Sequence, residues 1–344
     1  MKKSLIALAV LSVSGAAMAQ SAVAMYGLAD ASLIKLQGQR AQMGSGSGSV
    51  MTNLDSRLGV KGTEDMGGGL KAGFDFQTRL SLETGAVIGK NAVAGVWSPM
   101  AKVWVGGDSW GTFMMGRTLT PSYYGVAAWE LTGSANYSLI GKSYGWGGGA
   151  NSRNDSQFGY KTPNFAGFTA ELGYITKADV QNAGTTTFVP GGANGAKWDV
   201  NAIYKNGPIT ASVVANKVSK AANLNGSKVN WVIGGKYNFG SFIVAAGYHN
   251  TYNNNNNSNL AKSQLYAKRN GVTVGGTVLI GAFSFTADIG RDTKLQDAGG
   301  RSISKRTNVL LEGKYNLSKR TFIYLAGLRL DGTNNYGLGL QHNF

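Results

Sequence analysis

The final run, Tyr336 to Phe344, alternates with period two and stops on an aromatic ring. Tyr336, Leu338, Leu340, His342 and Phe344 fall on one face, and Gly337, Gly339, Gln341 and Asn343 on the other. Successive side chains of an extended strand point to opposite sides. One face of this strand is therefore mostly apolar and the other small or polar, up to the terminal ring. A barrel in a membrane needs this arrangement: apolar side chains toward lipid, polar ones toward the lumen, aromatic rings at the interfaces.

The same period runs through the chain. From Leu70 to Leu80, Leu70, Ala72, Phe74 and Phe76 share a face, while Lys71, Gly73, Asp75, Gln77 and Arg79 share the other. From Thr321 to Leu330, Phe322, Tyr324, Ala326, Leu328 and Leu330 share a face. The opposite face carries Ile323, Leu325, Gly327 and Arg329, so alternation there is imperfect. Strand-length stretches are separated in turn by tight turns and by long polar loops. Tight turns are expected at residues 65–69, 164–167, 206–208, 238–240, 280–282 and 316–319. Long loops are expected at 37–53, 120–151, 178–196, 220–227, 251–261 and 293–302. This predicts an all-β fold, a transmembrane antiparallel up-and-down β-barrel of about sixteen strands.

The N-terminus reads as an export signal. Lys2 and Lys3 precede an apolar stretch, and Ala17, Met18 and Ala19 form a small-x-small cleavage site. A signal peptide over residues 1–19 and a single barrel domain over residues 20–344 follow. There is no cysteine, which removes disulfides and thiolate chemistry. Charged residues are only 15%, a low share that a broad lipid-facing band explains. The formal charge is +16. The lysines and arginines recur singly along the strands rather than in clusters, which suits a cationic lumen better than a nucleic-acid surface.

Several motifs resemble the general porins of the Gram-negative outer membrane, in the trimeric sixteen-stranded family of beta-proteobacteria. The run 56–72 (SRLGVKGTEDMGGGLKA) is similar to that family's second strand, turn and third strand. Residues 116–124 (GRTLTPSYY) resemble the approach to its third loop, and 160–168 (YKTPNFAGF) the strand and turn after it. Residues 315–321 (YNLSKRT) resemble its last periplasmic turn, and 341–344 (QHNF) its C-terminal signature. The resemblance implies that the third loop, about Thr120 to Asn151, folds into the lumen and narrows it. It also implies wall arginines at Arg57 and Arg153. The family's further basic positions near Ala101 and Lys102 are reduced here to Lys102.

The expected pore lining is Arg57, Lys61, Lys71, Arg79, Lys102, Glu130 and Arg153. Arg57, Lys61, Lys71 and Arg79 share the polar face of their strands. Glu130, the one acidic residue between Thr120 and Asn151, faces the arginines, holds the loop by hydrogen bonds or sits in solvent. Asp155 is placed to pair with Arg153. Tyr123, Tyr124, Trp129, Tyr137, Tyr144 and Trp146 are expected to pack the loop on the wall, with stacking of a sugar or aromatic solute as the alternative. Tyr324, Tyr336 and Phe344 read as rim or lipid-facing.

The expected function is a water-filled outer-membrane channel for passive diffusion of ions and small hydrophilic solutes, with anions preferred. It needs no cofactor, metal or nucleic acid. Catalysis is not expected, because only His249 and His342 are available as imidazole bases and neither has a nucleophile or metal-ligand pattern. A porin selective for phosphate or organic acids, and an added adhesive role for the loops, are the alternatives. Partners are two further copies in a homotrimer, outer-membrane lipid and lipopolysaccharide, and small anionic or polar solutes. The trimer contact is placed on the outer face around Val23, Met25 and Leu28.

Overall fold

The computed structural model describes residues 22–45, 50–88, 96–146, 152–176, 197–217, 228–256 and 264–344. The leader at residues 1–19 and the loops at 178–196 and 220–227 lie outside the described residues. Among the described residues, sixteen barrel strands follow one another in antiparallel order. These are β1 Ala22–Lys35, β2 Arg57–Gly67, β3 Leu70–Leu80, β4 Met100–Gly107, β5 Gly111–Leu119, β6 Arg153–Lys161, β7 Phe168–Ile175 and β8 Lys197–Asn206. The second half comprises β9 Ile209–Lys217, β10 Val229–Asn238, β11 Phe242–Asn256, β12 Gln264–Ile280, β13 Phe283–Asp297, β14 Thr307–Asn316, β15 Thr321–Leu330 and β16 Thr333–Asn343. Two short segments, Gln42–Gly44 and Val87–Ile88, join the long-loop rim.

The sheet closes on itself through β1 and β16, in a register running from Leu28 opposite Asn343 to Lys35 opposite Tyr336. Closure leaves no unpaired edge, which a lipid environment demands. Sixteen strands enclose a space too wide for side chains to fill.

Alternation sorts the residues as β3 and β16 predict. Val274, Ile289, Leu311, Leu325, Leu338 and Leu340 are exposed on the outside. Rings gather near the short turns: Phe113 meets Trp110 and Tyr160, Phe239 meets Tyr237 and Phe242, and Phe283 meets Tyr315. Tyr336 and Phe344 are outward and exposed.

Three expectations are corrected. Tyr324 is not lipid-facing: it is 1% exposed, inside the barrel, with its hydroxyl donating to Asp30 Oδ1 at 2.6 Å and accepting from Asn53 N at 2.9 Å. Leu28 is not on the outer face either, because the parity that sends Val23 and Met25 outward sends it inward, 3% exposed. The loops expected at 251–261 and 293–302 begin late, since β11 and β13 carry strand pairing through Asn256 and Asp297.

The segment between β5 and β6 folds inward. Helix α1, Pro121–Trp129, lies on β8, β9 and β10, and helix α2, Leu139–Ser143, on β13, β14 and β15. Thr120 caps α1, its Oγ1 accepting from Tyr123 N at 3.0 Å, and Pro121 starts the helix where its missing N–H has no cost. Trp129, Tyr137, Leu139, Ile140 and Tyr144 are buried against inward residues of the wall, including Val214, Val232, Ala245, Leu310, Ala326 and Leu328. That packing explains the apolar inner face of β15.

Candidate pore constriction

The inner loop is fastened by polar bonds on both flanks. At the start of α1, Ser122 N and Oγ donate to Asp199 Oδ1 at 2.8 and 2.6 Å. Asn201 Nδ2 donates to Pro121 O at 2.7 Å, and Ser212 Oγ to Gly125 O at 2.7 Å. A Cβ on Gly125 would come within 2.2 Å of Val214, so the helix lies flush on the wall only with glycine there. Trp129 sits over Gly234 and Gly247, where added Cβ atoms would meet its ring at 2.3 and 2.4 Å.

Past α1 the loop is held by Glu130. Its carboxylate is 4% exposed and accepts from Thr132 N at 3.0 Å, Thr132 Oγ1 at 2.7 Å, Ser138 Oγ at 3.1 Å and the amide of Ser134. Of the three roles left open for this residue, the geometry is that of a clamp within the loop. Asn136 then ties the loop to the segment before β2. Its N donates to Asn53 O at 2.7 Å, and its Nδ2 to Asp55 Oδ1 at 2.9 Å. Burial pushes the Tyr137 hydroxyl well above the usual phenol range, so it stays protonated and accepts from Asn53 Nδ2 at 2.8 Å.

Guanidinium groups gather across from this framework. Arg57 and Arg79 are direct cross-strand partners on β2 and β3. Like charges so placed repel, and Asp55 relieves the pair, Arg79 Nε lying 2.8 Å from its Oδ2. Arg153, at the start of β6, donates from Nε to Pro99 O at 2.7 Å and from Nη1 to Ser152 Oγ at 3.2 Å. Arg79, Arg117 and Asp55 act on Arg153 electrostatically, and Tyr123 of α1 feels both Arg57 and Arg153. The remaining lining residues lie toward the short-turn rim. Lys61 Nζ is 5.0 Å from the centre of the Tyr26 ring, Lys71 is opposite Asp65, and Lys102 points inward between Met100 and Trp104.

The carboxylate of Asp155 pairs with Arg117, not with Arg153. By parity Arg117, opposite Ala101, falls on the other face from inward Lys102, and it reaches Asp155 where the β5–β6 register shifts between Gly116 and Thr118. A second missed cluster closes the long-loop rim. Arg269 is fully buried, with Nε 3.0 Å from Asp292 Oδ1 and Nη2 2.8 Å from Asp331 Oδ1. The Tyr144 ring of the inner loop lies 5.4 Å from its guanidinium carbon. His249 stacks on Tyr144 at 4.5 Å and is fully buried, so it is closed to solutes.

The family pattern for Gram-negative porins matches residues 4–335. The chain belongs to that family. It is 31% identical to outer membrane porin protein 32 of Delftia acidovorans over 352 aligned residues, covering 98% of this chain and 92% of that protein. Among solved structures, an anion-selective porin from Comamonas acidovorans superposes with a TM-score of 0.72 at 24% identity, covering 94% of this chain and all 100% of that one. The trimer form of OmpT from Vibrio cholerae gives a TM-score of 0.67 at 17% identity, covering 94% and 99%. This porin is thus an outer-membrane β-barrel channel, with its inner loop folded into the lumen.

Proposed function

We propose that the channel passes hydrated ions and small polar solutes by passive diffusion and prefers anions. Arg57, Arg79 and Arg153 are read as the wall of its narrowest point. One observation carries this reading: three guanidinium groups converge beside the inner loop, while the carboxylate of Glu130 is turned into the loop itself. A water-filled tube with low-dielectric walls focuses the field of its lining charges, and arginine and lysine linings favour anions. Lys61, Lys71 and Lys102 extend the cationic path toward the short-turn rim. The selectivity named for the Comamonas porin supports the same reading. The leader at residues 1–19 would be cleaved on export, and the barrel would act as a homotrimer. Val23 and Met25, exposed on the outer face of β1 beside β16, are assigned to that contact.

The test is single-channel current in planar bilayers under a KCl gradient. The expected reversal potential favours chloride. Arg57→Ala combined with Arg153→Ala should cut the chloride-to-potassium permeability ratio roughly threefold or more. Potassium preference in the unaltered channel would overturn the assignment of these arginines.

A further inference from the structure

Beside α1 the lumen wall opens into a recess of about 300 Å³. Tyr124 of α1 and Met114 of β5 border it, and Lys102, Lys161, Glu171 and Asn201 line it from β4, β6, β7 and β8. Lys161, Glu171 and Asn201 are successive cross-strand partners, so alternation turns all three toward the lumen.

The charges of this recess do not satisfy one another. Glu171 is 5% exposed, and its Oε1 has no hydrogen-bond partner. Asn201 uses one amide hydrogen on Pro121 O at 2.7 Å and also hydrogen-bonds the carboxylate, so the orphan is Oε1 alone. Among the described residues neither lysine is in ion-pair contact with Glu171, although both act on it through space. The two ammonium groups also repel each other. A buried carboxylate oxygen without a donor is costly, and the two ammonium groups, Lys102 being opposite Asp75 on β3, are drawn to Glu171 without contacting it. What the recess lacks is a cationic N–H donor at Glu171 Oε1 and an anion beside Lys102 and Lys161, held close together. Chloride supplies only the second.

The geometry points to a binding station for small zwitterions of the α-amino acid class, the α-ammonium on Glu171 and the carboxylate on Lys102 and Lys161. This rests on the pore reading above and gives that pore a solute class. Solutes drawn in by the arginines meet the recess where the inner helix borders the lumen.

Alanine, lactate and propionate have nearly the same shape and differ only in ammonium, hydroxyl or hydrogen at one carbon. Each would be titrated into a KCl-bathed single channel while the chloride conductance is followed. Alanine should halve that conductance at a concentration about tenfold below propionate, the ratio expected for one charged hydrogen bond, with lactate between. Glu171→Gln should bring alanine to the level of propionate. Equal effects of the three solutes on the unaltered channel overturn the station, and this arm requires no variant to fold. Survival of alanine's advantage in Glu171→Gln overturns the role of that carboxylate. Absence of chloride preference before any solute is added would instead count against the pore reading.

Discussion

Lys142, in the last turn of α2, shows how a single residue can set a condition on the whole channel. Burial pushes its ammonium down to about 8, and the attraction of Asp55 offsets only part of that. An ordinary lysine holds its proton to about pH 10. The sign follows from the lowered value: Lys142 is cationic below about pH 8 and neutral above it. Chloride preference should therefore fall between about pH 7 and about pH 9, a range in which the wall guanidiniums stay charged. Reversal potentials at the two ends of that range would measure it. In Lys142→Arg the decline should be smaller, because guanidinium does not titrate there. The arginine cluster is legible at the same scale only in part. Arg57 and Arg79 follow from strand parity, whereas Arg153 rests on resemblance. The pairing of Asp155 with Arg117 rather than Arg153 depends on a bulge that no alternation rule anticipates.

At the scale of the element, the inner loop is a folded piece of the interior, not a flap. Its helices bury their rings in the wall, and Glu130 gathers two amides and two hydroxyls around one carboxylate. Glu130→Ala would strand the amides of Thr132 and Ser134, at a cost on the order of 3 kcal/mol. The expected readout is increased open-channel current noise together with a lower temperature of thermal unfolding. Glu130→Gln, which keeps one acceptor oxygen, should fall between. This packing also explains why one strand misleads a reader of the sequence. In β3 the apolar face meets lipid, so parity identifies inside and outside directly. In β15 the inner face is apolar as well, because it carries the loop, and Tyr324 has the composition of a girdle residue while serving as a hydrogen-bonding post for Asp30 and Asn53. The strand count and the closure between β1 and β16 were legible, since each strand has enough outward apolar residues to repeat the signal. The fastening of the loop was not, since it joins residues far apart in the chain through single hydrogen bonds.

For the whole molecule, the long-loop rim is closed by Arg269, which joins β12 to β13 through Asp292 and to the turn after β15 through Asp331. Arg269→Met would leave buried Asp292 without its cation and Asp331 with only the longer Arg306 contact at 3.8 Å, a loss of roughly 3–5 kcal/mol. The folded barrel should then lose its resistance to SDS at a distinctly lower temperature, as read by gel mobility after heating. The seat of Trp129 has a different consequence, one for descent. The glycines at 234 and 247 lie on different strands, yet both are hollow because the same indole fills them. A lineage that gains a methyl group at either position can keep its aperture only by trading the tryptophan for something smaller. Three sites scattered over more than a hundred residues are thus linked in descent, since a change at either glycine calls for a change at the tryptophan.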